Sequence, residues 1–394
     1  MRVLTFTSLF PNGADPEHGI FIYQRAAHLA ARNGNLVEVV APIPFVPKGL
    51  AISRWKTAAD VPRVERVGRL TVYHPRYFLL PKISMPFHGL LIYLSTIGLV
   101  RELHTATKFD YLDAHFVYPD GFAAVLLGRK LGLPVMVSAR GTDMNVYPSF
   151  RLIRPMIRWT LRNADYRVAV SAALKDAMAK YGGTDLRVDV IPNGIDTTRF
   201  HPVGAEQARH KLGIGHAGTI IISIGSLIES KGHQLLIGAI GQIARHRTDL
   251  HLYILGEGPY RKTLEQLIER LEVADQVHLI GKRPNSELNL WFSTATLSCL
   301  ASAREGWPNV VTESLACGTP VIATRVGGIP EIIDRPEFGM LVERTPESLA
   351  GAIEQALRKA WDRQAISRQA SARTWDTVAE ELEQVLGATR AHGT

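Results

Sequence analysis

Glu305 and Glu313 bracket the run Gly306-Trp307-Pro308-Asn309-Val310-Val311-Thr312. Pro308 suits a first helical turn, so the run predicts a helix that opens near Asn309 and reaches Ala316, following an apolar strand over 297–300. The N–H groups of Asn309, Val310 and Val311 would then point out of the helix start. Such a terminus favours an anion by ~0.3–1 kcal/mol per charge through its dipole. Carboxylates accept hydrogen bonds from sugar hydroxyls. The set suits a ligand that carries both hydroxyls and phosphates, and it reads also as two surface glutamates beside a capped helix.

A second stretch, Gly225-Ser226-Leu227-Ile228-Glu229-Ser230-Lys231-Gly232, follows an apolar strand and puts a lysine where the next helix starts. That is a phosphate-binding arrangement in general form. The order of a P-loop is absent, and no Gly-x-Gly-x-x-Gly follows the first strand, which counts against a nicotinamide or flavin domain. A third group, Gly19, His115 and Arg140-Gly141-Thr142-Asp143, falls at the carboxyl ends of strands or at the helix starts after them, where doubly wound sheets bind ligands. A lone histidine there is also an ordinary structural residue.

The elements that must position these groups alternate. Strand-like runs over 3–7, 36–41, 70–73, 111–114, 134–138, 166–170 and 188–191 are mostly separated by helix-length segments, such as 19–32 and 122–131. The alternation resumes with strands over 219–224, 251–255, 277–280, 297–300, 320–323 and 340–342. Strand–helix alternation predicts a parallel sheet covered by helices, here in two doubly wound blocks. Pro192-Asn193-Gly194 and Pro202 mark a join. Residues 374–391 read as an amphipathic helix with Trp375, Val378, Leu382, Val385 and Leu386 on one face.

The chain has 394 residues, a hydrophobic fraction of 46% and charged residues at 21%. That composition excludes disordered, collagen-like and coiled-coil classes and fits two domains. Cys299 and Cys317 allow at most one bridge and no zinc cluster. The first residues read as a buried strand rather than a secretion signal. The apolar segment 87–100 is shorter than the ~20 residues of a spanning helix. Residues 1–190 carry 24 Lys+Arg against 14 Asp+Glu, whereas 191–394 carry 21 against 23. The basic half predicts an anionic partner such as a membrane surface or a phosphorylated acceptor, or reflects an arginine-rich solvated face. Arg151, Arg154, Arg158 and Arg162 form one stripe at helical spacing. No helix-turn-helix, RNP or zinc signature supports nucleic acid.

Several of these stretches together resemble the retaining glycosyltransferases of family GT4. They are Arg304 to Thr324 around Glu305-x7-Glu313, Val326-Gly327-Gly328-Ile329-Pro330-Glu331, Gly225-x5-Lys231-Gly232, Gly256-Glu257-Gly258-Pro259, Ile191-Pro192-Asn193-Gly194-Ile195-Asp196 with Phe200, and Asp113-x-His115 with Asp120-Gly121. The resemblance spans nearly the whole chain and is weaker over 45–105, where such enzymes shape their acceptor site.

It implies an α/β chain of the GT-B type, two facing Rossmann-like doubly wound parallel-sheet domains. The expected division is an acceptor-side domain over 1–192, a linker over 193–203, a nucleotide-sugar domain over 204–373 and a helix over 374–394 that crosses back. The implied reaction moves a sugar, with retention, from a nucleotide-diphosphate sugar (a UDP-sugar favoured) to a hydroxyl of a glycan or lipid-linked acceptor. It would serve cell-surface polysaccharide biosynthesis. The enzyme would be a metal-independent hexosyltransferase without a cofactor, the nucleotide sugar being a co-substrate. The rival readings are a sugar-nucleotide epimerase of the same fold and a non-catalytic nucleotide-sugar-binding subunit.

By the resemblance, Glu313 holds the ribose, and Glu305 meets donor-sugar hydroxyls. Gly306, Trp307, Asn309 and Val310 border the diphosphate. Lys231 pairs with phosphate beside Gly225 and Ser226, Arg283 borders the base, Gly19 approaches phosphate or sugar, and His115 stands at the reacting centre. Lys231 and the helix start would stabilise charge on the leaving diphosphate. The acceptor hydroxyl would lose its proton to the donor phosphate in a front-face attack. Two departures stand out. Relatives often carry an arginine where this chain has Ser226, leaving one fixed cation fewer unless Arg304 or Arg325 substitutes. A histidine of many relatives is Arg140 here, which, with Asp143 on the acceptor side, is free by sequence to face an anionic acceptor. The expected place is the cytoplasm, with peripheral attachment to the inner face of the membrane as a companion expectation.

Overall fold

The computed structural model describes residues 1–32, 34–45, 60–79, 85–215 and 218–387. The chain divides into two compact units, Met1–Asn193 with Trp375–Thr394, and Gly194–Thr374.

Unit 1 runs β1 (Arg2–Phe6), α1 (Ile20–Ala31), β2 (Leu36–Val40), β3 (Ile43–Phe45), β4 (Val64–Val67), β5 (Leu70–Tyr73), β6 (Arg76–Phe78) and α2 (His88–Thr107). It continues with β7 (Tyr111–His115), α3 (Phe122–Leu131), β8 (Val135–Ala139), α4 (Thr142–Asn145), α5 (Arg154–Asn163), β9 (Tyr166–Ala169), α6 (Ala172–Gly182) and β10 (Asp189–Val190). Its main sheet has the order β10-β9-β8-β7-β1-β2-β5-β4, beside a small β3-β6 pair. The sheet departs from the all-parallel expectation at one edge, where β4 and β5 are antiparallel. Only Gly68 and Arg69 separate them, and a two-residue connection can join only antiparallel neighbours.

Alternate residues of one strand feed both faces. Val3 packs with Ile22, Ala26 and Leu29 of α1, while Leu4 and Phe6 pack with α2 and α3 through Ile92, Ala123 and Leu127. This two-sided burial is why the parallel strands read as unbroken apolar runs.

Unit 2 runs α7 (Ala205–Leu212), β11 (Thr219–Ile224), α8 (His233–Ile243), β12 (Leu250–Leu255), α9 (Arg261–Arg270), β13 (Val277–Gly281) and α10 (Leu288–Thr294). Then come β14 (Leu297–Leu300), α11 (Asn309–Ala316), β15 (Val321–Thr324), α12 (Ile329–Ile332), β16 (Gly339–Val342), α13 (Pro346–Arg358) and α14 (Arg363–Ala370). Its parallel sheet has the order β13-β12-β11-β14-β15-β16. Ile221, Leu252 and Ile254 face α8 and α13. Ile220, Ile222 and Leu255 face α10. Ile195 and Phe200, within the stretch read as a linker, are buried in that second cluster.

The final helix, α15 (Trp375–Gly387), is part of unit 1. It buries Trp375, Val378, Leu382 and Leu386 against Tyr111, Met136, Val168 and Ile191. Tyr111 Oη donates to the Leu386 carbonyl at 2.7 Å. Arg32, which caps the end of α1, reaches Glu380 and Glu383 at 3.0 and 3.2 Å. Residues 388–394 of the expected terminal helix lie outside the described residues.

Candidate active site

In unit 2 the chain reverses its direction of strand addition between β11 and β14, which are neighbours. Ligands of doubly wound sheets collect at the carboxyl edge of such a switch point. Both glycine-rich stretches leave from that edge: Gly225 follows β11, and the Glu305 loop follows β14. Gly232, at φ 75°, caps α8 against the end of β14. A Cβ on it would stand 2.0 Å from the Ala301 carbonyl oxygen, so only glycine permits the approach. The Ala303 N–H donates to the Ser230 carbonyl at 2.7 Å across the same seam.

That close approach joins two residues far apart in sequence. Lys231 Nζ lies 2.6 Å from Glu305 Oε1. The same oxygen accepts from Ser302 Oγ at 2.6 Å. Leu227 N–H donates to the Glu257 carbonyl at 2.9 Å, which ties the Gly225 loop to the Gly256-Glu257-Gly258 turn. Ser226 is exposed, as are Arg304, Arg325 and Arg283.

Glu313 stands one turn into α11 and is partly buried. Burial pushes its carboxyl up to about 7, with Arg199 pulling the other way. Trp307 packs on the cluster of Leu300, Val311 and Ile329, and Gly306 accepts from the Gly328 N–H at 3.0 Å. One expected donor is not available. Val311 N–H is bonded to the Pro308 carbonyl at 3.0 Å, because α11 closes its first turn on that residue.

In unit 1, Gly19 caps α1 at φ 69°, and a Cβ there would meet the Leu9 carbonyl oxygen at 2.4 Å. His115 ends β7 and Arg140 follows β8, the next strand. Arg140 does not face solvent. Its Nε and Nη2 donate to His115 Nδ1 at 3.2 and 2.7 Å. Its Nη1 donates to Asn193 Oδ1 at 2.9 Å. The other ring nitrogen of His115 stands 3.3 Å from Asp113 Oδ2. Asp113 in turn meets Arg25 Nη2 at 3.1 Å, and Arg25 Nη1 donates to Ser138 Oγ at 3.1 Å.

Asp143 accepts from the N–H groups of Val117, Arg140 and Gly141 at 2.9, 3.1 and 2.8 Å. It thus fixes the turn that aims Arg140 inward. Burial raises its carboxyl above the usual range against those three bonds. Burial likewise pushes Asp120 up to about 7, although Ser8 donates to it from both N–H and Oγ at 3.0 Å. Phe116, the residue after His115, sits at φ 72°, a region that favours glycine. Its N–H bonds Ser138 and its carbonyl accepts from Gly121, which hold it there.

Sequence reasoning singled out neither Arg25 nor Arg199. Arg25 is a buried cation on a helix whose apolar periodicity is otherwise regular, and that mismatch was the available signal. Arg199 sits between Asp196 and Phe200 and donates to Asn285 Oδ1 at 2.6 Å. Arg344 was also missed. It staples the Lys231 turn to β14 through the carbonyls of Ala301 and Glu229, at 3.0 and 3.3 Å.

Residues 205–373 match the family described as Glycosyl transferases group 1, and residues 19–199 match Glycosyltransferase Family 4. A glycosyltransferase assigned to teichuronic acid biosynthesis in Bacillus subtilis strain 168 is 27% identical over 90% of this chain and 88% of its own length. A D-inositol 3-phosphate glycosyltransferase of Paenarthrobacter aurescens is 28% identical over 91% and 89%. Among solved structures, sucrose-phosphate synthase of Thermosynechococcus elongatus superposes with a TM-score of 0.80 at 19% identity, covering 100% of this chain and 99% of that one. Anabaena HepE in complex with UDP gives 0.74 at 20% identity, covering 98% and 100%.

Proposed function

We propose, from the premise that the chain belongs to the GT4-type glycosyltransferases with the GT-B fold, that unit 2 binds a nucleoside-diphosphate sugar and that the reaction transfers its sugar with retention. The Lys231–Glu305 pair, beside the start of α11 and Glu313, carries this reading. It juxtaposes a cation for phosphate, N–H donors for the diphosphate and two carboxylates for hydroxyls. Lys231 exchanges Glu305 for the phosphates when donor enters, which releases Glu305 to accept from donor-sugar hydroxyls. Negative charge that grows on the leaving diphosphate is met by Lys231 and by the N–H groups of Asn309 and Val310. These groups supply the positive field from the chain itself, so activity is expected to persist in excess EDTA, without a resident cofactor. A UDP-sugar is the favoured donor, and the HepE structures with UDP and UDP-glucose lend support. Arg283 is proposed to border the base.

Unit 1 is proposed to hold the acceptor, with the reacting centre at the carboxyl edge of β1 and β7 near Gly19 and His115. A cavity of about 460 Å³ opens beyond the carboxyl ends of β1 and β2, with Ser8, Asn12, Asp15, His18, His74 and Tyr77 in its wall. Its size falls within the ~300–1,000 Å³ of small-molecule sites, and a wall of mixed polar and aromatic side chains suits a sugar. The acceptor is a glycan or lipid-linked glycan hydroxyl, in keeping with a cell-surface role and peripheral membrane attachment.

A thermal-shift panel of UDP, GDP, ADP, CMP and dTDP with their sugars, on wild type and Glu313→Ala, tests the donor reading. A ligand at 100 times its dissociation constant adds ~2.7 kcal/mol. The expected result is an upward shift for one diphosphate class that Glu313→Ala loses. Binding without transfer to any glycan acceptor and without slow donor hydrolysis would instead favour a non-catalytic binding subunit.

A further inference from the structure

We infer that Arg140 is a positioning residue that locks His115 as the tautomer with its single proton on Nε2, and so withdraws His115 from proton transfer. The argument is one of donors and acceptors. A guanidinium has donors only. Its Nε and Nη2 both point at His115 Nδ1, at 3.2 and 2.7 Å. Nδ1 must therefore present its lone pair, and the ring proton belongs to Nε2, which stands 3.3 Å from Asp113 Oδ2.

The charged groups that face the ring are Asp113 on its own strand, Arg140 from the end of β8 and Arg25 from α1. Burial, then the two guanidinium groups, push the imidazole down to about 3 against the pull of Asp113. His115 is fully buried. A base for the acceptor hydroxyl needs a lone pair within reach of that hydroxyl, and the Nδ1 lone pair is already spent on Arg140. Arg140 is held for this task from behind: Asp143 fixes its backbone, and Asn193 accepts from Nη1. The sequence expectation that Arg140 faces an anionic acceptor gives way to an inward role. The consequence for catalysis rests on the transferase reading; the lock itself does not.

The test reads the ring nitrogens of His115 in the wild-type chain by long-range proton–nitrogen correlation with nitrogen-15-labelled histidine. A His115→Asn variant identifies the signals. The expected spectrum shows a pyridine-type Nδ1 and a protonated Nε2, unchanged from about pH 8 to about pH 5. A proton on Nδ1, or titration within that range, overturns the lock without recourse to any variant. In Arg140→Gln the midpoint of His115 is expected to rise by about one pH unit or more. The same step should enter the pH profile of kcat. With the ring mispositioned, kcat should fall on the order of 10- to 100-fold while donor KM holds. A folded Arg140→Gln chain with the wild-type spectrum and pH profile also overturns the proposal. If the wild type transfers nothing, the spectrum still reports on the lock, so the two readings fail separately.

Discussion

At the scale of single residues, the consequential groups are those whose partners lie far along the chain. Glu313 gives the sharpest expectation. Burial pushes its carboxyl up to about 7, with Arg199 opposing. A ribose diol donates hydrogen bonds, so it binds the ionised form better than the protonated one. Nucleotide binding should then release a proton and tighten as pH rises. One unit below the midpoint only about a tenth of the carboxyl is ionised, so Kd should weaken roughly tenfold between about pH 8 and pH 6. Calorimetry in buffers of different ionisation enthalpy reads the proton directly. Glu313→Gln should bind more weakly and lose that part of the pH dependence; an unchanged slope would detach Glu313 from the nucleotide. The sequence made Glu313, Glu305 and Lys231 visible as types at suggestive spacings. It could not reveal that Lys231 already grips Glu305, because the contact depends on how α8 meets β14. Arg140 was misread for the same reason: an arginine beside a glycine looks exposed until Asp143 and His115 turn it inward.

At the scale of elements, the long periodic segments were legible. The helix read over 122–131 is α3 residue for residue, and the buried face of α15 is the one its apolar spacing marked. The strands β3, β4 and β6 were not, since three or four residues of mixed polarity carry no clear period. The turn residues decide how much the elements achieve for the site, and Gly232 is the critical one. An alanine there must hold φ 75°, at ~1–2 kcal/mol, and must also push its Cβ off the Ala301 carbonyl. Gly232→Ala should therefore destabilise unit 2 by at least that amount, at ~2–4 °C in Tm for each kcal/mol. It should also weaken donor binding beyond what stability explains, because the displaced turn carries Lys231 away from Glu305. Far-ultraviolet melting alongside nucleotide titration of the folded fraction separates the two effects. Loss of stability with donor affinity intact would show that the seam positions nothing.

At the scale of the whole molecule, the charge asymmetry acquires a location. Arg151, Arg154, Arg158 and Arg162 are all exposed, the last three along α5. The apolar side chains nearby are exposed as well: Phe87 at 60%, Leu94 at 59% and Leu152 at 71%. The segments around Met85, Gly89, Tyr147 and Trp159 meet one aromatic group of unit 1. Tyr118 Oη donates to the Met85 carbonyl at 2.8 Å, and its ring lies 6.2 Å from that of Tyr147. The Phe122 ring, which abuts Gly89, lies 5.2 Å from that of Trp159.

No helix among the described residues is long and apolar enough to cross a membrane. Basic side chains contribute ~1 kcal/mol each near an anionic bilayer, and salt screens that term. Inserted apolar side chains add a term that salt does not weaken. The two terms predict different signatures. Pelleting with phosphatidylglycerol vesicles should be strong at low salt and fall several-fold near 0.5 M salt. The paired change Arg151→Glu with Arg158→Glu should abolish the salt-sensitive part. The pair Phe87→Asp with Leu152→Asp should weaken binding at every salt concentration. Equal pelleting with neutral and anionic vesicles, or none at low salt, would assign the arginines to solvent and detach the lipid-linked acceptor from this surface. If the acceptor is anchored in a bilayer, one screened and one unscreened attraction on the same chain would together give reversible return to its plane.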